Sequence, residues 1–153
     1  MITDLDPSDD ATASAVRTIG LRACAVEAAL IGSTAVPALS ESLAQMRAQP
    51  VRWLGAHVDG RLAAFLARSD LGDGTIDVER LCADPAHFRR GLASRLLERV
   101  VDEGRDVLVS TGAANLPALA LYARFGFVLV RHVEPEPGVR LALLRLTAQK
   151  SSR

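Results

Sequence analysis

The chain has 153 residues, the length of one domain, and its 49% hydrophobic and 24% charged content is a globular composition that excludes a disordered chain. Eighteen Lys and Arg balance eighteen Asp and Glu, and a formal net charge of zero leaves no general electrostatic basis for binding nucleic acid. No apolar run approaches the ~20 residues of a membrane helix, and the opening MITDLDPSDD lacks the basic start of a signal peptide, so a single cytoplasmic domain over 1–153 with no membrane partner is expected.

Residues 3–6 predict a short first strand. Pro7, Ser8, Asp9 and Asp10 form a helix-start cluster, a capping side chain followed by acids in the first turn. An Ala-rich helix follows to about Leu30, with Gly20 a weak point in its continuity. Gly32, Ser33, Thr34 and Pro37 interrupt the pattern. Leu39, Leu43 and Met46, at i, i+4 and i+7, predict a short second helix that Pro50 ends. Residues 51–58 and 62–68 predict two strands, and Asp59-Gly60 between them is a two-residue hairpin signal. Residues 71–74 form the next turn. Gly72 and Gly74 begin a GxG, but Asp77 stands where a dinucleotide fingerprint needs its third glycine, and no Gly-Lys-Ser/Thr is present for a P-loop.

Residues 75–83 predict a central strand that feeds a strongly amphipathic helix. Leu92, Ala93, Leu96, Leu97, Val100 and Val101 recur as adjacent pairs every four residues, one buried face, with Arg95, Glu98, Arg99, Asp102 and Glu103 opposite and Gly104 as the stop. The first N–H groups of a helix have no internal partner and carry the positive end of its dipole. Gly91 and Ala93 let a ligand approach that backbone, and Arg89 and Arg90 add charge, so this start suits a pyrophosphate. The other reading of the same residues is a solvated basic helix start. Residues 106–110 predict a short buried strand and 111–114 a loop. Asn115 is a helix cap with Pro117 tolerated in the first turn, and Gly126 ends that helix. Residues 127–133 and 139–146 predict a final strand pair around a turn at 135–138, and the last five residues a frayed tail.

Two blocks carry a resemblance. Residues 88–93 resemble the Q/R-x-x-G-x-G/A loop of the GCN5-related N-acetyltransferase (GNAT) superfamily, with Gly91 and Ala93 on its last two positions and Phe88 departing from its first. Residues 115–127 resemble the N-x-x-A-x-x-L-Y-x-x-x-G-F block of the same family, in the same order along the chain. The similarity spans roughly 75–146. It implies an α/β three-layer fold, a mixed central sheet of six to seven strands flanked by about four helices. It also implies acetyl-CoA as cosubstrate and direct acetyl transfer to a primary amine, and the lack of carboxylates in 31–39 and 51–58 predicts a small-molecule amine acceptor, not a polycation. Dimers are common in the family, and a homodimer is among the expected states.

The resemblance places the cofactor against Leu81, Cys82 and Ala83, whose backbone would meet the pantetheine arm where the central strand parts from the next. It adds the loop Phe88, Arg89, Arg90, Gly91, Leu92, Ala93 and Ser94, and Asn115. Tyr122, the single tyrosine, becomes the general acid that protonates the departing thiolate; its plain alternative is a core aromatic. An amine must be neutral to attack, and Asp77 and Glu79, two apart on one strand face, are the candidate bases, or simply solvent-facing acids. Cys82 is expected to pack rather than react, and Trp53 to lie in the core. His57, His87 and His132 show no metal spacing, and Cys24 and Cys82 form no CxxC, so no metal is expected. The uncharged segment 31–39 is the expected wall of the acceptor pocket. A GNAT-like module that binds acyl-CoA without transfer, and a transferase for a longer acyl chain, remain the rival readings.

Overall fold

Strand-like alternation and four helical stretches fold here into one sheet with helices on both faces. In the computed structural model the described residues are 1–31, 42–87 and 90–148. The elements run β1 (Ile2–Leu5), α1 (Asp10–Ile31), α2 (Leu43–Ala48), β2 (Arg52–Val58), β3 (Arg61–Asp70), β4 (Ile76–Ala83), a 3₁₀ turn (Pro85–His87), α3 (Leu92–Val101), β5 (Val107–Gly112), α4 (Leu116–Arg124), β6 (Val128–Glu136) and β7 (Val139–Leu146). The seven strands lie in the order β1-β2-β3-β4-β5-β7-β6. All neighbours are antiparallel except β4 and β5, which the α3 crossover makes parallel.

Each face buries its own core. Leu96, Leu97 and Val100 of α3 pack with Ile76 and Val78 of β4, Val107 and Val109 of β5, and Tyr122 of α4. Ala13, Val16 and Ile19 of α1 and Met46 of α2 cover Trp53, Phe65 and Ala67 on the other side. Removing a buried Leu or Val side chain of this kind from water contributes about 1.5–3 kcal/mol, so the amphipathic face of α3 is the reason that helix forms where it does. α1 continues unbroken through Gly20, which faces the Phe65 ring, where a Cβ would stand 3.4 Å away, about ordinary contact distance. Asp59 and Gly60 both take positive φ, 52° and 76°, the hairpin geometry their sequence signals.

Several boundaries moved. β5 runs on through Thr111 to Gly112, where a loop from 111 was expected, because it keeps pairing with Leu141 and Ala142 of β7. β6 crosses the expected turn at Pro135 and reaches Glu136, absorbing two extra residues as irregularities on an edge where proline costs no ladder bond. Phe88, Arg89 and most of the expected acceptor wall, 32–39, lie outside the described residues.

Candidate active site

The parallel pair at the middle of the sheet is only half closed. Ile76, Asp77 and Val78 pair with Val107, Leu108 and Val109, and there the ladder stops. From Arg80 to Ala83 β4 pairs with β3 alone, and from Ser110 to Gly112 β5 pairs with β7 alone. The two strands therefore part towards their C-terminal ends. Leu81, Cys82 and Ala83 all fall in the stretch of β4 with no neighbour on that side among the described residues. Backbone N–H and C=O groups left on such an edge are ready to pair with an extended, amide-bearing molecule.

A β-bulge sits at the fork. Across from β4, Ala67 pairs with Arg80 and Arg68 with Val78, so Glu79 has no partner on β3. The bulge shifts the alternation. Ile76 and Val78 face the α3 side, and so do Leu81 and Ala83, three residues on rather than two. Arg80 and Cys82 take the α1 side, where the Arg80 guanidinium lies 5.9 Å from the centre of the Trp53 ring and Cys82 packs on the second core. The simple two-residue count that joined Asp77 to Glu79 thus runs through a distorted strand. The two carboxylates still feel each other. Burial first, and the charge of Glu79 second, push the Asp77 carboxyl above its ordinary value.

Helix α3 starts just beyond the open end of β4. Its N-cap is Gly91 at φ 72°, and no side chain caps it. The other two short helices are capped by their own residues: Ser42 and Gln45 form a reciprocal capping box on α2, and Asn115 Oδ1 accepts the Ala118 N–H on α4. A Cβ built on Gly91 would meet nothing within 4 Å, so the glycine serves backbone conformation and open approach, not packing. Leu92 is buried in the α3 core, Ala93 and Ser94 are half-buried, and Arg90 is exposed. Among the described residues no side chain caps the start of α3, and its N–H groups beside Arg90 fit an anionic, pyrophosphate-like group.

Asn115 and Tyr122 stand on α4, on the same face as α3. Tyr122 lies seven residues below the cap, about 10 Å along the helix. It is only 5% exposed and its ring meets Phe127 at 5.5 Å. A core-packed ring explains its burial, and the burial also holds the side chain in one place. Asp77 is on the opposite side of the sheet from Tyr122, as the packing of its neighbours shows. The structure thus brings together the β4 edge, the α3 start and the α4 cap on one side of the fork, with Asp77 on the other and Glu79 exposed at the bulge. A cavity of about 330 Å³ lined by Asp4, Leu5, Arg47 and Trp53 lies at the other end of the sheet, where β4 and β5 are closed, and shares no residue with the fork.

The signal for the bulge was present in the chain: the apolar positions step from 76 and 78 to 81 and 83, a phase slip in the alternation. Nothing local marked Thr111, which is buried beside the fork. No described helix is long and apolar enough to cross a membrane.

Comparison with known proteins agrees with this arrangement. The chain is 28% identical over 149 residues to UPF0157 protein YqkA of Bacillus subtilis (strain 168), covering 95% of this chain. The chain spans only 43% of that relative's length. In fold it is similar to the ribosomal-protein-S18-alanine N-acetyltransferase of Escherichia coli, at TM-score 0.75 and 21% identity over 99% of this chain and 96% of that one. It is likewise similar to yncA of Salmonella typhimurium, solved with its cofactor acetyl-CoA, at TM-score 0.72 and 16% identity over 100% and 96% of the two chains. The sequence profile of the acetyltransferase (GNAT) family matches residues 26–127, and with the forked β4–β5 pair and the uncapped α3 start in place, the chain belongs to that family.

Proposed function

We propose that the chain is an N-acetyltransferase that moves the acetyl group of acetyl-CoA to a primary amine of a small acceptor, both substrates being bound at once. The observation that carries this reading is the fork: β4 leaves β5 after Val78 and ends beside α3, which among the described short helices is the one without a side-chain cap. A pyrophosphate at the start of α3 directs a pantetheine arm along the free edge of Leu81, Cys82 and Ala83, which brings the thioester to the point of the fork. The solved relative named with acetyl-CoA supports the same cosubstrate.

In this reading the neutral amine attacks the thioester carbonyl carbon. The C–N bond forms, backbone N–H groups at the fork hold the negative oxygen, and the C–S bond then breaks. Tyr122 gives its phenolic proton to the leaving thiolate, and the amine's surplus proton passes to Asp77 or Glu79, directly or through water. The raised pKa of Asp77 suits a group that must take up a proton near neutrality better than an ordinary surface acid does. The acceptor enters from the α1 side, opposite the cosubstrate. With Asp77 and Glu79 as the candidate acids, Asp84 already held by Arg22 of α1 at 3.1 Å, and no charge in the segment 31–39, the favoured acceptor is a small amine with an apolar or weakly polar body, not a polycation. The test is calorimetry with acetyl-CoA, followed by thiol release across a panel of amines with ionic strength varied. No binding at millimolar acetyl-CoA overturns the reading. Binding without thiol release makes the chain an acyl-CoA-binding module. A kcat/KM that rises steadily with acceptor charge and falls steeply with salt overturns the acceptor class alone.

A further inference from the structure

Two buried polar side chains, Thr111 and Asn115, line the far wall of the fork, 8% and 9% exposed. Thr111 sits opposite Ala142 as Val109 sits opposite Leu144 and Val107 opposite Leu146. Its side chain therefore points to the α3 and α4 side, two residues past the last β4–β5 pair. Ser110, pointing the other way, is exposed.

The polarity of the pair is set from the helix. Asn115 Oδ1 accepts the Ala118 N–H at 3.3 Å, which commits the carboxamide oxygen to the cap and turns its NH₂ towards β5. Nδ2 then donates to Thr111 Oγ1 at 3.4 Å. A threonine hydroxyl has one proton and two lone pairs. With a lone pair taken by Asn115, the hydroxyl proton turns away from it, and among the described residues no acceptor takes that proton. A buried donor in this state calls for an acceptor from outside the chain.

We infer that Thr111 is a binding residue for the acyl-CoA arm: its hydroxyl donates to an amide carbonyl of the pantetheine, and Asn115 acts as the positioning residue that orients it. The inference rests on the acyl-CoA reading above and adds a side-chain contact to the backbone edge of β4. Pantetheine carries two amides, so it supplies carbonyl acceptors along its length. A donor chain from Asn115 through Thr111 to a carbonyl is polarised in one direction, which strengthens each member. It also discriminates, because a ligand with a donor at that point meets another donor.

The experiment compares CoA with adenosine 3′-phosphate 5′-diphosphate, which is CoA without the pantetheine arm, by calorimetry on wild type, Thr111→Val and Thr111→Ser. Thr111→Val should weaken CoA by about 5–10-fold, the effect of one buried hydrogen bond, and leave the armless nucleotide unchanged. Thr111→Ser keeps the hydroxyl and should stay within about 2-fold of wild type for both. Equal CoA affinity in Thr111→Val, or equal weakening of both ligands, overturns the inference and makes Thr111 a structural residue. If wild type binds neither ligand, the acyl-CoA reading itself falls, and the two failures are told apart. Should Thr111→Val lose its far-ultraviolet circular dichroism, Thr111→Ala carries the same comparison.

Discussion

At its closed end the β4–β5 pair is tied from several directions. Arg68, with a side chain 6% exposed, donates to Glu103 and to Asp70 at 2.6 Å, and Arg105 Nε donates to the Gly74 carbonyl at 2.6 Å. The Asp106 carbonyl accepts the Ile76 N–H at 2.8 Å, while its carboxylate accepts the Ala148 N–H and pairs with Arg145. At its open end the same two strands have a bulge, an unpaired edge and an uncapped helix start. One end pairs its charged side chains within the chain, with only the buried Arg68 Nε left over, and the other leaves backbone groups for a ligand. Stability and binding should therefore separate in space, and each of the following variants sharpens or breaks that division.

The largest effect belongs to the open end. Gly91→Glu should weaken acetyl-CoA by more than about 100-fold in calorimetry, because it sets a carboxylate where a pyrophosphate is expected. It also imposes the left-handed φ of 72° on a side chain, at about 1–2 kcal/mol. No neighbour within 4 Å blocks the new Cβ, so the protein should still fold. Gly91→Ala should share the backbone cost and retain most of the affinity. Equal loss in both variants would mean that charge is not what matters at this start.

Next comes the closed end. Arg68→Ala removes the more buried of the two cations that Glu103 and Asp70 share and leaves them only the partly exposed Arg105, at 3.6 and 3.3 Å. Both acids are more than a third exposed, and water offsets part of the penalty, so a loss of about 2–3 kcal/mol in urea unfolding is expected. At temperatures where the variant is folded, its acetyl-CoA affinity should match wild type. A large loss of affinity at full folding would show that the two ends are coupled, and the comparison would break.

Tyr122→Phe should lower kcat by about 10-fold, or ~1.4 kcal/mol, while leaving the affinity for acetyl-CoA nearly unchanged, because a proton donor acts in the transition state. The ring that meets Phe127 is retained, so melting temperature should move little. Unchanged kcat would assign Tyr122 to the core alone.

Asp77→Asn should give the smallest stability effect, and its sign is informative. Burial and Glu79 raise the folded pKa of Asp77, so between the unfolded and folded pKa values the native state holds more protons than the unfolded one. Stability then falls as pH rises through that window, and the ionised carboxylate is a net cost at neutral pH. The variant should melt slightly higher than wild type at pH 7, with the gain fading as pH drops below the ordinary carboxylate range. If Asp77 is the base, kcat/KM in wild type should fall as pH drops through the raised pKa, and the Asn variant should lose that limb. A melting temperature lower than wild type at pH 7 would show that the carboxylate is compensated by a partner.

Much of this molecule was readable as a string. The pairs of apolar residues along α3, the Asp59-Gly60 turn and the Asn115 cap are local patterns, and each appears where its spacing places it. The two family blocks put the anionic start at Gly91 and the acid candidate at Tyr122. The string marks Gly20 as a weak point, yet α1 runs through it, since tertiary packing of the helix on the sheet overrides one residue's propensity.

Local pattern determined which residues form strands and helices, which faces turn inward and where a helix start lacks a side-chain cap, since these depend on neighbours within a few residues. The tertiary structure alone decided that β4 and β5 part after Val78, that Glu79 is left over as a bulge, that Arg68 finds Glu103, and that Thr111 meets Asn115 at the fork. The physical reason is that a ladder hydrogen bond or a buried ion pair belongs to two segments at once. Its existence turns on register and twist across the sheet, and no single segment records where its partner stops.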